Sequence, residues 1–422
     1  MTTAARQKMN IVIVGHVDHG KSTLVGRLFY DTGSLPEGKY EAVARVCEDT
    51  GKPFEFAFLL DALEEERDQG ITIDTAQAYF HTDDREYVII DAPGHKEFLK
   101  NMITGAASAE AAILLIDAEE GVQEQSRRHG YLLKMLGIRQ VVVVLNKMDL
   151  VGYSQDVFET VKSEYLKFLS ELGVGSQFVI PVSARHGENV AGRNGAIPWY
   201  TGPTVLESLG LFTPAGSKED QPLRFPVQDV YKFDSRRIVA GRVESGTLRA
   251  GDRIRFSPSG HEAVVKTIER WSGPEQDHAL PGESIGITLD EQVFVERGEI
   301  VSHLDAVPQV ASSVTANLFW LGDHHLRVGK KYVMKLATQE IECLVASISG
   351  VINTSTLASV GDSVMELAKN EAATVSLDLK KPVAFDSFGD VMETGRFVIV
   401  DECDVAGGGT IPKLDLSENY QI

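Results

Sequence analysis

The stretch Gly15-His-Val-Asp-His-Gly-Lys-Ser22 decides the fold. It follows the apolar run 11–14 and precedes a segment in which Leu24, Leu28 and Phe29 recur at helical spacing. Strand, glycine-rich turn and helix in that order are the setting in which G-x-x-x-x-G-K-[ST] forms a phosphate-binding loop. Gly15 and Gly20 bound the loop, His16, Val17, Asp18 and His19 supply its intervening backbone, and Thr23 lies in the first turn of the helix. The glycines let backbone N–H groups wrap an anion, Lys21 neutralises charge on the outer phosphates, and Ser22 offers a hard oxygen to Mg2+. An ordinary glycine-rich turn is the plain alternative, and the flanking strand and helix weigh against it.

Outward from this loop, residues 10–212 alternate short β-branched runs with longer segments of helical period, the pattern of a mostly parallel α/β sheet. The strand candidates are 11–14, 87–90, 112–116, 141–145 and 178–181, each ending where polar residues begin. Ligands of open α/β sheets sit beyond the carboxyl ends of the strands, so those polar segments belong together. Asp91-Ala-Pro-Gly94-His95 follows the second candidate: Asp91 stands where an acidic partner of Mg2+ belongs, acting through a water. Gly94 can present its N–H to a γ-phosphate, and His95 can orient the attacking water. Asn146-Lys147-Met148-Asp149 follows the fourth candidate, and the Asp149 carboxylate can accept from both guanine N1–H and the exocyclic amine. Adenine offers neither donor, so an unpaired carboxylate there discriminates against ATP. Ser183-Ala184-Arg185 can add a backbone donor to guanine O6. Glu64 to Asp74, EEERDQGITID, contains Thr72, a ligand for Mg2+ when a γ-phosphate is bound, with Gly70 allowing the segment to refold. Its acidic start reads equally as a solvated helix end. His16 and His19 also make an H-x-x-H pair of the sort nucleotidylyltransferases use, but both lie within the phosphate loop. The candidate catalytic residues are thus Lys21, Thr72 and His95, the candidate metal ligands Ser22, Thr72 and Asp91, and the ligands GTP and Mg2+.

The chain has 422 residues, which at about 100–200 residues per domain suggests two to four domains, with three as the working number. The first spans 1–212, and TPAGSKEDQP at 213–222 reads as a linker. Beyond it short alternating strands split by turns, as in GRVESGTLRAGDRIRFSPSG at 241–260, predict two all-β barrels over 223–306 and 307–422. A net charge of −20 argues against gripping nucleic acid over the whole surface. Cys47, Cys343 and Cys403 lack metal spacing and fit a reducing compartment. No apolar run is long enough to span a bilayer and no secretory signal is evident, so the expected location is cytoplasmic.

With GHVDHGKST, GITID, DAPGH and NKMD followed by two barrels, the chain resembles translation-factor GTPases such as elongation factor Tu and its eukaryotic counterpart. It is more similar to the GTPase subunits of sulfate adenylyltransferase. That resemblance rests on RLFYDTGSLPEGKYEAV, LLDALEEERDQGITID, HKEFLKNMITGAASAEAAILLIDA, QSRRHGYLLKMLGI, IPWYTGPTVLESL and RFPVQDVYKFDSRR, and departs at His19 and Arg185. It implies a hetero-oligomer with a separate catalytic adenylyltransferase subunit, in which GTP hydrolysis to GDP drives formation of adenylyl sulfate and pyrophosphate from ATP and sulfate. The rival reading is an elongation factor delivering aminoacyl-tRNA, which predicts a basic surface on the barrels. There Lys330-Lys331 and Lys380-Lys381 are the notable doublets, and isolated lysine pairs usually mark solvated strand edges. A regulator that binds GTP and barely hydrolyses it is a third reading, against which His95 speaks. Asp323-His324-His325 and the glycines 407–409 read as connections rather than sites.

Overall fold

The structure, a computed structural model, describes residues 7–16, 18–51, 53–59, 77–82, 84–91, 109–214, 216–233, 236–270 and 276–413. The chain divides into two compact units, Met1–Ala215 with Thr354–Thr356, and Gly216–Asn353 with Leu357–Ile422.

The first unit is built on a six-stranded sheet of β1 (Gln7–Gly15), β2 (Gln77–His81), β3 (Arg85–Asp91), β4 (Ala111–Asp117), β5 (Gln140–Asn146) and β6 (Ser176–Pro181), in the order β2-β3-β1-β4-β5-β6. Only β2 runs antiparallel to its neighbour. Every residue of β4 is buried, and β5 is buried from Val141 onward. Such unbroken apolar runs are what strands covered on both faces require, whereas alternating strands would leave a wet face. The register aligns the carboxyl ends: Ile13 lies beside Asp91, Gly15 beside Leu115, Asp117 beside Asn146 and Leu145 beside Pro181. The polar segments that follow these strands therefore emerge along one edge of the sheet.

Six helices are described: α1 (Lys21–Asp31), α2 (Lys39–Thr50), α3 (Glu124–Met135), α4 (Gln155–Leu172), α5 (Val205–Gly210) and, in the second unit, α6 (Met392–Gly395). In α1, Leu24, Val25, Leu28 and Phe29 fall on one stripe and are buried in the sheet's core with Ile11, Ile13 and Leu115. In α4, the Ser154 hydroxyl caps the helix by accepting from the Val157 N–H, and the chain leaves at Gly173 in a left-handed conformation. Its buried stripe Phe158, Val161, Tyr165, Phe168, Leu169 and Leu172 recurs every three or four residues. A capping box of Thr204 and Glu207 starts α5.

Among its described residues the second unit is built of strands, with α6 and a short turn of helix at Lys218–Asp220. Its first part comprises β7 (Phe225–Phe233), β8 (Arg236–Arg242), β9 (Leu248–Arg249), β10 (Arg253–Ser257), β11 (Glu262–Glu269), β12 (His278–Ala279), β13 (Ser284–Leu289) and β14 (Ile300–His303). Six of these close into a barrel in the order β10-β11-β13-β8-β7-β14, which leaves no exposed sheet edge. Alternation drives it: in β10, Ile254 and Phe256 point inward while Arg253 and Arg255 are exposed. Its second part comprises β15 (Gln309–Trp320), β16 (Leu326–Arg327), β17 (Lys331–Leu336), β18 (Gln339–Asn353), β19 (Ser359–Val364), β20 (Glu366–Leu367), β21 (Glu371–Phe385), β22 (Arg396–Asp401) and β23 (Asp404–Thr410). Here the sheet order is β17-β22-β23-β15-β21-β18-β19, and an added β17–β18 pairing joins the first strand of that order back to the sixth. Trp320, Met334, Leu377 and Ile399 fill its core with no measurable exposure.

A buried ion pair lies inside this unit. Arg224, just before β7, donates from Nε and Nη2 to the two carboxylate oxygens of Asp386, both at 2.7 Å, and from Nη1 to the Leu223 and Ala306 carbonyls. The Thr394 hydroxyl donates to the same carboxylate at 2.5 Å.

Candidate functional site

After β1 the backbone turns through two left-handed residues, Asp18 at φ 65° and Gly20 at φ 88°, and enters α1 at Lys21. Gly20 is suited to that conformation, and a methyl group there would also run into the side-chain amide of Asn146. The Lys21 ammonium, nearly buried, donates to the Gly15 and His16 carbonyls, each at 2.8 Å. Its charge is thereby held at the loop beside the first turn of α1, where helix N–H groups favour an anion. Ser22 and Thr23 occupy that same turn.

Asn146, 2% exposed at the end of β5, is bonded on both sides. Its Nδ2 donates to the His19 carbonyl at 2.9 Å, and its Oδ1 accepts from the Ala184 N–H at 3.0 Å. One amide thus ties the phosphate loop to the segment after β6. Lys147 sits at φ 61° and pairs with Asp117 at 2.7 Å, while Asp117 also accepts from the Glu119 N–H at 2.8 Å. Asp149 keeps a partly exposed carboxylate, with His186 Nδ1 3.9 Å away. The segment opposite is fixed by an antiparallel bridge in which Ser183 and Glu188 exchange backbone hydrogen bonds. The buried Glu188 carboxylate in turn accepts from the Asn194 and Ala196 N–H groups.

These residues enclose a cavity of about 460 Å³ lined by Gly20, Thr23, Asn146, Lys147, Asp149 and Arg185, together with Phe54, Glu55, Phe56, Leu150 and His186. Its size suits a nucleotide-scale ligand. Six of the candidate residues read from sequence are brought together here, although they come from three stretches far apart in the chain. Val17, Thr72, Gly94 and His95 lie outside the described residues, as does the side chain of Asp91, whose backbone ends β3 next to Ile13. Phe54, Glu55, Phe56, Leu150 and His186 had no signal in the sequence reading. Asp117 was not singled out either, although an acidic residue directly after the apolar run 112–116 is a signal open to sequence reading.

The His19 side chain is turned away from the loop's mouth. It is fully buried, with Nδ1 3.1 Å from the Leu115 carbonyl and Nε2 3.3 Å from a Glu120 carboxylate oxygen. Burial lowers its pKa, partly offset by those two partners. His129, on the buried face of α3, is pushed down to about 3 by burial and then by the nearby Lys21 charge. Both rings are therefore neutral at ordinary pH, so Lys21 dominates the positive charge at the loop. Ser22, in the first turn of α1, carries a hydroxyl, a hard oxygen of the kind Mg2+ accepts when nucleotide phosphates and water complete its shell. Away from the site, Asp323, His324 and His325 form a connection in which Lys369 pairs with Asp323, His325 with Glu366, and Trp320 donates to the His324 carbonyl.

Comparison with known proteins agrees with this geometry. The elongation factor Tu GTP binding domain matches residues 6–267, and the GTP-eEF1A C-terminal domain-like family matches 313–412. Elongation factor 1-alpha of Archaeoglobus fulgidus is 40% identical over 419 residues, 98% of each chain. Sulfate adenylyltransferase subunit 1 of Aeromonas hydrophila is 39% identical over 398 residues, 93% of this chain and 83% of that one. The bifunctional enzyme NodQ of a Rhizobium species is 37% identical over 427 residues, 99% of this chain and 66% of that one.

Proposed function

We infer that this chain, which belongs to the elongation factor Tu family of GTP-binding proteins, is a GTP hydrolase serving a separate catalytic subunit that makes adenylyl sulfate from ATP and sulfate. The observation that carries the nucleotide part is the convergence of Gly20, Asn146, Lys147, Asp149 and Arg185 on one cavity at the carboxyl edge of the sheet. Lys21 and the start of α1 take the phosphates, Asp149 reads the guanine edge, and the Ala184–Arg185 backbone supports the base. Ser22, Thr72 and Asp91 would hold Mg2+, which would supply charge neutralisation on the phosphates, and His95 would orient the attacking water. Sulfate is a weak nucleophile and its anhydride with AMP is high in energy, so a coupled hydrolysis makes physical sense. Coupling requires that the segments around Thr72 and His95 contact the partner differently with GTP and with GDP.

The choice between a sulfate-activating partner and an RNA partner rests on the second unit's cations. Lys330 pairs with both carboxylate oxygens of Asp401 at 2.8 and 2.7 Å, Lys331 with Glu342 at 2.9 Å, and Lys380 with Glu342 at 3.8 Å. Lys330 has a carboxylate of its own and Lys331 and Lys380 share one, so these pairs offset part of the doublets' positive charge and weigh against a strongly basic face there. Delivery of aminoacyl-tRNA is the second reading, favoured by the end-to-end match with an elongation factor 1-alpha. Copurification from the host followed by two assays separates them. GTP-stimulated formation of adenylyl sulfate is the expected result; GTP-dependent binding of charged tRNA without any response to sulfate would overturn the partner assignment.

A further inference from the structure

We propose that Phe54, carried with Glu55 and Phe56 on the chain that leaves α2, is a contact wall for the nucleoside end of the bound nucleotide and sets how long that nucleotide stays. The inference rests on the guanine-nucleotide reading of the cavity. It begins from which residues share that cavity with the aromatic segment: Asp149 and Lys147 at the base end, and Gly20 and Thr23 where the loop passes into α1. Lys21 and Ser22, which face the outer phosphates and Mg2+ in that reading, are not among its lining residues. The segment therefore faces base and ribose, not the γ-phosphate.

The wall is clamped in place. A methyl group on Gly26 of α1 would collide with the Phe56 carbonyl oxygen, so the segment's backbone rests directly on the helix that follows the phosphate loop. The Arg27 guanidinium lies 4.7 Å from the centre of the Phe56 ring and is held by both carboxylate oxygens of Asp31 at 2.9 Å. Phe54 packs edge-on against Phe56 with ring centres 5.2 Å apart and lies 5.0 Å from Tyr40 of α2. On the far side, Leu59 is fully buried against Val43 and Cys47. A rigid, half-buried aromatic edge beside a nucleotide-sized cavity excludes water from one face of the ligand, and dissociation must re-wet that face. Loss of such a contact shows in the release rate and not in the rate of arrival.

The test follows release of tritium-labelled GDP from the full chain on filters after a chase with unlabelled GDP. Phe54→Ala is expected to raise the release rate about tenfold while leaving association unchanged, the scale on which an aromatic contact is lost. GDP and GTP affinities should fall by the same factor, because the γ-phosphate lies at the other end. Phe54→Tyr, which keeps the ring, should restore release to within about twofold of the starting protein. Unchanged release from Phe54→Ala, with normal binding by the unaltered chain, overturns the wall and leaves the GTP reading standing. A fall in GTP affinity alone also overturns it, since the segment would then respond to the γ-phosphate. So does a Phe54→Ala protein that melts earlier without nucleotide and is not restored by Phe54→Tyr. Failure of the unaltered chain to bind GDP at all sinks the underlying reading instead.

Discussion

Two regions of the molecule use buried polar side chains in opposite ways. At the carboxyl edge of the parallel sheet, Asn146 is bonded by two neighbouring loops and Lys147 by Asp117 at the end of β4, yet the arrangement leaves Asp149 partly open to a cavity. In the second unit, Arg224 and Asp386 spend their hydrogen-bonding capacity on each other and on adjacent carbonyls and Thr394, with exposures of only 3% and 9%. A polar group that is closed on itself contributes to structure, whereas one held rigid but incompletely satisfied is available to a ligand. The difference is one of position: the open groups follow parallel strands at a shared edge, and the closed pair lies within an all-β unit.

Variants should separate the two regions by opposite signatures. Arg224→Ala leaves the Asp386 carboxylate buried without its charge partner and is expected to destabilise the second unit by about 3–5 kcal/mol. Urea unfolding would register that loss, and GTP affinity of the folded protein should not change; a shift of less than about 1 kcal/mol would mean the pair is not the closed structural element described. Asp149→Asn should do the reverse. Guanine binding is expected to weaken about a hundredfold and xanthine nucleotides to gain, because an amide in that position donates where guanine also donates. Competition between GTP and XTP measures this, and an unaltered GTP preference would remove Asp149 from the base-reading role.

The smallest effect expected is a pH dependence from His129. Its folded value of about 3 lies below the ordinary 6.5, so the unfolded chain takes up a proton that the folded chain refuses. The corresponding stability is fully present above 6.5 and is lost as pH falls towards about 3. Between about pH 7 and about pH 5 this one ring accounts for a loss of about 2 kcal/mol. His129→Gln should flatten that part of the pH profile of urea unfolding. An equally steep profile in the variant would assign the acid sensitivity to other groups.

The sequence made the sheet legible because its strands are unbroken apolar runs that stop at polar segments, as 112–116 and 141–145 do. Both strands extend slightly at either end, to Ala111–Asp117 and Gln140–Asn146, since the first residues of a turn can still pair. The phosphate loop and the Asn146 to Asp149 segment were legible for the same reason, as each is local in the chain. Phe54 was not, because the features that mark it, a cavity wall, Arg27 over Phe56 and the close approach at Gly26, join segments that no periodicity connects. Nor did the sequence reveal the orientation of His19, whose backbone carbonyl serves Asn146 while its ring serves β4 and Glu120. The match to G-x-x-x-x-G-K-[ST] fixes where the loop is but not which way a side chain within it points.

The shared amide of Asn146 has a practical corollary for anyone wishing to control this protein in a crude extract. Because Asn146 joins the phosphate loop to Ala184, exchanging the neighbouring carboxylate for an amide leaves that brace untouched. A xanthine-tuned chain would keep its anion cradle intact and could be switched on by a nucleotide that the other GTPases in the mixture ignore.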